Sequence, residues 1–235
     1  MNPKKTARIA GLLYLIVAVC GGFAELYVRK FLIVVPDNAA GTASNIVASE
    51  RLFRIAFVSD LVMIMSYLLL GLILYLLLRE VDQNVALVMV VFNLVGIPIL
   101  CLNMLNHFAS LYVLSGADYL SSFSGEQLNA LALFFLDLHN YGYIIAQVST
   151  GSWLLPLGYL VYKSAYFPNL LGILLMIASA GYLVDLLAQF LLPEIAGSVE
   201  AVALAPAALA ELSFLLWLLI KGVNLAPGKR TLKAI

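Results

Sequence analysis

Long runs of apolar residues dominate the chain, and short polar stretches separate them. Six runs reach the roughly 20 residues that a helix needs to cross about 30 Å of hydrocarbon. They cover approximately residues 7–28, 52–78, 85–114, 137–162, 170–192 and 201–223. Residues 128–136 are also apolar, so the fourth run either begins earlier or follows a short interfacial turn. The pattern predicts an all-α polytopic membrane helix bundle with about six transmembrane helices, forming one domain over residues 1–235.

The basic residues indicate how these helices are oriented, because Lys and Arg accumulate in the cytoplasmic loops of membrane proteins. With six spans, nine basic residues fall on one side of the bilayer: Lys4, Lys5, Arg8, Arg79, Lys163, Lys221, Lys229, Arg230 and Lys233. The remaining four fall on the other side: Arg29, Lys30, Arg51 and Arg54. This imbalance predicts that both termini are cytoplasmic.

The composition agrees with a bilayer environment and excludes several classes of protein. Hydrophobic residues make up 63% of the chain and charged residues 11%, against about 45–50% and about 25% in soluble domains. The formal net charge is +0, so the chain has no basic field that would attract nucleic acid. Cys20 and Cys101 lie in apolar runs, which argues against a structural disulfide. The lipid bilayer is the one partner implied; no soluble partner is, and homo-oligomerisation stays open.

Ionisable side chains inside the spans are the candidate functional residues, because placing such a group in hydrocarbon is unfavourable. The spans contain seven of them: Glu25, Asp60, His107, Asp137, His139, Asp185 and Glu211. All seven fall in the predicted outer half of the bilayer or near its middle. We therefore predict a polar cavity in the outer half of the bundle that binds a small molecule or a lipid. Its ligand- or proton-binding candidates are Asp60, His107, His139, Asp185 and Glu211, whereas Glu25 and Asp137 lie close enough to water to need no role.

The same residues leave other functions open. His107 and His139 suit a metal ion such as zinc. Asp60 or Asp185 would be the third ligand, and Glu211 the general base, of an intramembrane metal-dependent hydrolase. Alternatively, the two histidines would ligate a haem. No local ligand motif such as His-Glu-x-x-His is present, so neither zinc nor haem is favoured and enzymatic activity stays undecided.

Two further interpretations need no cofactor. In a proton-coupled carrier, Asp60, Asp185 and Glu211 would take up and release protons. In a purely structural bundle, the same side chains would hydrogen-bond across helices and bind no ligand.

Several segments together resemble a known family. They are Lys-Thr-Ala-Arg-Ile-Ala-Gly-Leu-Leu-Tyr-Leu at 5–15, Thr-Ala-Ser-Asn-Ile at 42–46, Leu-Phe-Arg at 52–54 with Asp-Leu at 60–61, His-Asn-Tyr-Gly-Tyr at 139–143, Leu-Leu-Pro-Leu-Gly-Tyr-Leu-Val-Tyr-Lys-Ser at 154–164, Gly-Tyr-Leu-Val-Asp at 181–185, and Glu211 ahead of Trp-Leu-Leu-Ile-Lys-Gly at 217–222. The chain resembles bacterial multi-pass membrane proteins grouped as domain of unknown function 4386. The resemblance implies a bacterial inner-membrane protein of about six helices without a settled activity.

Overall fold

The structure, a computed structural model, describes residues 2–224. Eight α-helices account for most of it: α1 (Pro3–Gly22), α2 (Ala39–Ala48), α3 (Glu50–Leu78), α4 (Gln83–Tyr112), α5 (Gly125–Thr150), α6 (Leu154–Lys163), α7 (Asn169–Leu191) and α8 (Ala196–Ile220). A π-helical segment, Phe23–Ile33, continues α1, and a 3₁₀ turn, Asp118–Ser122, precedes α5. No strand occurs in residues 2–224. Three residues of the charge comparison, Lys229, Arg230 and Lys233, lie outside the described residues.

Six helical segments are long and apolar enough to cross a bilayer, which confirms the predicted polytopic all-α fold. They are Pro3–Ile33, Glu50–Leu78, Gln83–Tyr112, Gly125–Lys163, Asn169–Leu191 and Ala196–Ile220. The second, third and fifth lie within two residues of their predicted bounds. The agreement follows from the fixed hydrocarbon thickness, which sets the length of an apolar run directly. The chain is a multi-pass membrane protein.

The first span continues beyond the predicted end at residue 28. Its last part is π-helical, and the backbone N–H of Val34 donates to the carbonyl of Arg29, five residues earlier, at 2.9 Å. The predicted bounds leave Arg29 in the outer loop. The structure instead places it within the helix, where it is buried. Runs of π-helix are rare and frequently occur at functional sites.

The fourth span begins earlier than predicted. It consists of α5, a turn at residues 151–153, and α6, so it starts at Gly125 and not at residue 137. Asp137 and His139 therefore lie in the middle of α5 and not at the opening of the span. Asp137 is exposed, whereas His139 is buried. The apolar stretch at residues 128–136 is the first part of this helix.

The chain forms two compact units. Unit 1 contains residues 2–14, 68–95 and 147–224 of the described chain, and unit 2 contains residues 15–67 and 96–146. Helices α1, α3, α4 and α5 contribute residues to both units. A single domain over residues 1–235 stays a prediction.

Unit 1 contains a close approach of α6 and α7 through small residues. A Cβ atom placed on Gly158 would lie 2.6 Å from the carbonyl oxygen of Gly172. A Cβ placed on Gly172 would lie 2.5 Å from the backbone nitrogen of Tyr162. Small residues at such positions let helix backbones approach in a membrane, where packing replaces the hydrophobic effect as the main attraction.

Unit 2 has an apolar core built from several elements. Val28 of the π-helical segment, Ile46 of α2, Phe53 of α3 and Ala132 of α5 all belong to it and are fully buried. The short helix α2 lies in the segment between the first two spans, where the turn signals around residue 36 separate it from the first span. It is anchored by Ile46.

Candidate functional site

Three of the five predicted site residues meet in unit 2. Asp60 on α3, His107 on α4 and His139 on α5 each offer one potential metal-ligand atom, and these atoms lie within 4.8 Å of one another. Each of the three residues is no more than 1% exposed. The two imidazoles pack edge to face, with ring centroids 5.4 Å apart. The structure thus brings one carboxylate and two histidines from three helices into one buried cluster.

His139 is oriented by Asn103 on α4. Its Nδ1 lies 3.1 Å from the backbone oxygen of Asn103. Because a carbonyl only accepts hydrogen bonds, Nδ1 carries the proton. In return, Nδ2 of Asn103 donates to the backbone oxygen of His139 at 2.8 Å. The other ring nitrogen, Nε2, is left with a buried lone pair and no hydrogen-bond partner among the described residues, which is exceptional for a buried polar atom.

His107 is also held in one tautomer. Its Nε2 lies 3.2 Å from the backbone oxygen of Phe53 and must therefore donate. Its Nδ1 lies 3.2 Å from Nη1 of Arg29 and must accept, because a guanidinium only donates. The imidazole stacks on the Phe53 ring, with centroids 4.1 Å apart and an interplanar angle of 22°. Each histidine thus directs one N–H to a backbone carbonyl and keeps one lone pair for a different partner.

Arg29 also belongs to this cluster, which its predicted position in a loop did not indicate. Its Nη1 donates to Oδ2 of Asp60 at 2.5 Å, and its Nη2 lies 3.4 Å from Oδ1 of the same carboxylate. Its Nε donates to Glu25 at 2.8 Å. Arg29 is 3% exposed. A buried guanidinium therefore lies between two carboxylates and contacts His107 as well.

The sequence does contain signals for this role. Glu25 precedes Arg29 by four residues, the spacing at which side chains on one helix meet. Apolar residues also continue after Lys30, from Phe31 to Val35. Both features favour a helix that runs past the basic pair, whereas the basic pair alone suggested its end.

Tyr143 completes the surroundings of Asp60. Its hydroxyl donates to Oδ1 of Asp60 at 3.1 Å, and its ring lies 5.7 Å from the Arg29 guanidinium carbon. Tyr143 follows His139 by four residues on α5, and the two rings pack edge to face at 5.0 Å. One face of α5 therefore supplies both a potential ligand and a hydrogen-bond donor to this cluster.

The other two predicted site residues belong to unit 1. Asp185 is buried on α7, and its oxygens accept hydrogen bonds from Nε2 of Gln147 at 3.1 Å and Nε2 of Gln189 at 3.3 Å. Gln189 follows Asp185 by four residues on α7, the spacing at which side chains on one helix meet.

Glu211 of unit 1 is held by two phenols. Tyr14 donates to its Oε2 at 2.5 Å and Tyr182 to its Oε1 at 2.7 Å. Within residues 2–224, Asp185 and Glu211 make no ion pair, in contrast to Asp60. A role for either as a proton-binding group stays a prediction.

The cluster in unit 2 is chemically suited to bind a cation. Two imidazole nitrogens and one carboxylate oxygen are a donor set that first-row divalent metals accept. Asp60, not Asp185, supplies the carboxylate next to the two histidines. The geometry does not suit a haem. The two imidazoles pack directly against each other, and the Arg29 guanidinium lies beside His107, so no space is left between the histidines for a porphyrin ring.

A family model matches residues 9–222, and its description is a domain of unknown function, DUF4386. The chain belongs to this family. An uncharacterized protein of Archaeoglobus fulgidus is 35% identical over 156 residues, which cover 65% of this chain and 75% of the relative. No solved structure matches the chain. The family assignment confirms the resemblance and, like it, specifies no activity.

Proposed function

We propose that this membrane protein binds a small ligand at the cluster of Asp60, His107 and His139, and that the ligand is a divalent transition-metal ion. The observation that carries the proposal is the orientation of the two imidazoles. Each donates one N–H to a backbone carbonyl and keeps the opposite nitrogen as a lone pair. Histidines that bind metals almost always use their second nitrogen in this way, because the outer hydrogen bond fixes both tautomer and ring orientation.

The distances are compatible with a metal site that has not contracted. Two atoms bound to one zinc ion at about 2.0–2.2 Å lie about 3.3–3.6 Å apart in the tetrahedral geometry that zinc adopts. The three potential ligand atoms lie within 4.8 Å of one another. Binding one ion therefore requires the ligand atoms to close by about 1 Å through side-chain rotations, and it requires Arg29 to leave its contacts with Asp60 and His107.

The charges also favour a further cation. Arg29 carries one positive charge, and its two partners Asp60 and Glu25 carry two negative charges. Lys30 lies 3.7 Å from Glu25, but its side chain is 54% exposed, so solvent weakens its contribution. In surroundings of low dielectric constant, the resulting excess of negative charge attracts a cation.

The test is a metal analysis of detergent-purified protein after incubation with Zn²⁺ and removal of the unbound ion. We expect about one equivalent of zinc in the wild-type chain. The variant His139→Ala should lose it, because it lacks the unpartnered Nε2. Asn140→Ala is the matched control, since it changes the exposed neighbouring residue and should retain the metal.

Two outcomes would contradict the proposal. Folded wild-type protein that contains no zinc after this incubation would exclude zinc binding at the cluster. Equal zinc content in His139→Ala and Asn140→Ala would show that the ion binds elsewhere.

We further infer that the bilayer is a bacterial cytoplasmic membrane, as the family resemblance suggests. Support comes from the six apolar helices and the concentration of basic residues on one predicted side. Fractionation of the inner and outer membranes of the source cells, with an antibody against the chain, tests this assignment.

A further inference from the structure

Arg29 occupies the position where a bound cation would meet Asp60 and His107. Nη1 of Arg29 is 2.5 Å from Oδ2 of Asp60 and 3.2 Å from Nδ1 of His107, whose lone pair faces it. Both atoms are potential metal ligands. A metal ion and the guanidinium therefore compete for the same lone pairs, because neither ligand atom can serve both partners in the same direction.

Glu25 provides a second partner for Arg29. It already accepts a hydrogen bond from Nε at 2.8 Å, and it lies one helical turn away on the same segment. If Arg29 leaves Asp60, its charge therefore stays paired inside the protein. Without such a partner, the displacement would leave an uncompensated buried charge, which is strongly unfavourable.

We propose that Arg29 is a tethered competitor of the metal: it holds Asp60 and His107 until an incoming divalent cation displaces it onto Glu25. This inference rests on the proposed metal binding. The exchange requires no proton transfer, because Nδ1 of His107 and Nε2 of His139 already carry lone pairs and Arg29 keeps its proton. Arg29 thereby sets the affinity threshold of the site.

The π-helical backbone at this position is consistent with a segment that changes partners. The carbonyl of Arg29 accepts from Val34 in an i to i+5 bond, which is the less common hydrogen-bonding alternative for a helix. The residue that must move thus lies in the part of the first span with irregular helical geometry.

The experiment is a titration of purified protein with Co²⁺, followed by its d–d absorption, for wild type and matched variants. Arg29→Gln removes the competitor and should bind Co²⁺ about tenfold or more tightly than wild type. Glu25→Gln removes the alternative partner of Arg29 and should bind several-fold more weakly. If the ion pair between Arg29 and Glu25 had only a structural role, both variants would change the Co²⁺ affinity in the same direction.

Arg54→Gln is the matched control. Arg54 also pairs with a glutamate four residues earlier, Glu50, at the same 2.8 Å, but both side chains are about half exposed. Its Co²⁺ affinity should equal that of wild type. If Arg29→Gln does not fold, Arg29→Lys is the second variant. It keeps the positive charge but not the planar guanidinium that pairs with Asp60, so its Co²⁺ affinity should lie above that of wild type.

The outcomes separate this inference from the proposed function. One equivalent of Co²⁺ in wild type, with unchanged or weaker affinity in Arg29→Gln and Arg29→Lys, would overturn the role of Arg29 and leave metal binding intact. Absence of Co²⁺ from wild type and from all Arg29 variants would overturn both.

Discussion

The Arg29–Asp60 pair shows how a charged group is accommodated within a membrane-spanning segment. Burying two ions costs several kcal/mol each, and close pairing with additional hydrogen bonds offsets that cost. Here the carboxylate accepts from two guanidinium nitrogens and from Tyr143, and the guanidinium also reaches Glu25. The membrane-spanning segment tolerates this pair because both the guanidinium and the carboxylate are hydrogen-bonded.

Removing one partner of this pair should be strongly destabilising. In Asp60→Asn, Arg29 loses the buried carboxylate and keeps only Glu25 as a negatively charged partner. We therefore expect the free energy of unfolding to fall by about 3 kcal/mol or more. The measurement is reversible unfolding in mixed detergent micelles, in the presence of a chelator so that metal binding does not contribute.

Glu50→Gln is the control for Asp60→Asn, because it breaks the exposed pair with Arg54. An exposed pair contributes about 0–1 kcal/mol. Similar losses for the two variants would contradict the view that the Arg29–Asp60 pair is a tightly coupled buried interaction.

At the scale of single residues, the sequence indicated the carboxylate and the two histidines of the buried cluster better than its arginine. Asp60, His107 and His139 are conspicuous because ionisable residues stand out in an apolar run. Arg29 was assigned to a loop because a basic pair after an apolar run usually marks the end of a span. That rule fails where the helix continues and a carboxylate on another helix pairs with the arginine, a contact that sequence spacing does not encode.

At the scale of elements, the approach of α4 and α5 positions His139. Gly142 lies against the side-chain amide of Asn103, so closely that a Cβ at this position would overlap it. The same amide donates to the backbone of His139, three residues before Gly142. Absence of a side chain at residue 142 therefore permits the amide hydrogen bond that holds the His139 backbone next to Asn103. The backbone oxygen of Asn103 in turn orients the imidazole.

The substitution Gly142→Ala should loosen this orientation. The new methyl group would displace the Asn103 amide, break its hydrogen bond to the backbone oxygen of His139 and shift α5 against α4. The contact between Nδ1 of His139 and the backbone oxygen of Asn103 would then loosen, so metal affinity should fall about 10-fold or more, as for other groups that orient a ligand. Co²⁺ titration of the purified variant measures the effect.

Gly22→Ala is the comparison for Gly142→Ala, because no atom lies within 4 Å of a Cβ at residue 22. It should bind Co²⁺ like wild type and be equally stable or slightly more stable, since alanine favours a helix by about 0.5–1 kcal/mol. Unchanged affinity in Gly142→Ala would mean that Asn103 does not control His139.

The elements themselves were predictable to different degrees. The bounds of α3, α4 and α7 follow from apolar length, because hydrocarbon thickness fixes it. The start of α5 was harder, because Asn129 and Glu126 make residues 125–136 less apolar than an ordinary span. The π-helical segment has no distinctive sequence pattern, so it could not be predicted.

For the whole molecule, six spans require that successive connections alternate between the two sides of the bilayer. The basic residues then decide the orientation. Arg29 drops out of the comparison because it is buried, and Lys229, Arg230 and Lys233 lie outside the described residues. The remaining basic residues still differ in the predicted sense: Lys4, Lys5, Arg8, Arg79, Lys163 and Lys221 against Lys30, Arg51 and Arg54.

The sequence did not predict which helices contact each other, because the apolar residues of one helix do not specify its neighbours. The sequence pattern predicts five polar residues in one cavity. The structure brings Asp60, His107 and His139 together in unit 2, and it gives Asp185 and Glu211 their own partners in unit 1. Amides and phenols on neighbouring helices satisfy these two carboxylates, and such pairings depend on helix rotation more than on spacing along the chain.

The predicted orientation can be tested with one cysteine on each side, in a chain whose native Cys20 and Cys101 are replaced by alanine. Ser121→Cys lies between the third and fourth spans, and Glu80→Cys lies between the second and third; both positions are exposed. A maleimide that does not cross membranes should label Ser121→Cys in intact cells and Glu80→Cys only after lysis, because the basic side faces the cytoplasm. The reverse result would invert the protein and place the Arg29 end of the first span on the cytoplasmic side. Equal labelling of both positions in intact cells would contradict the alternation of connections, and with it the six-span topology.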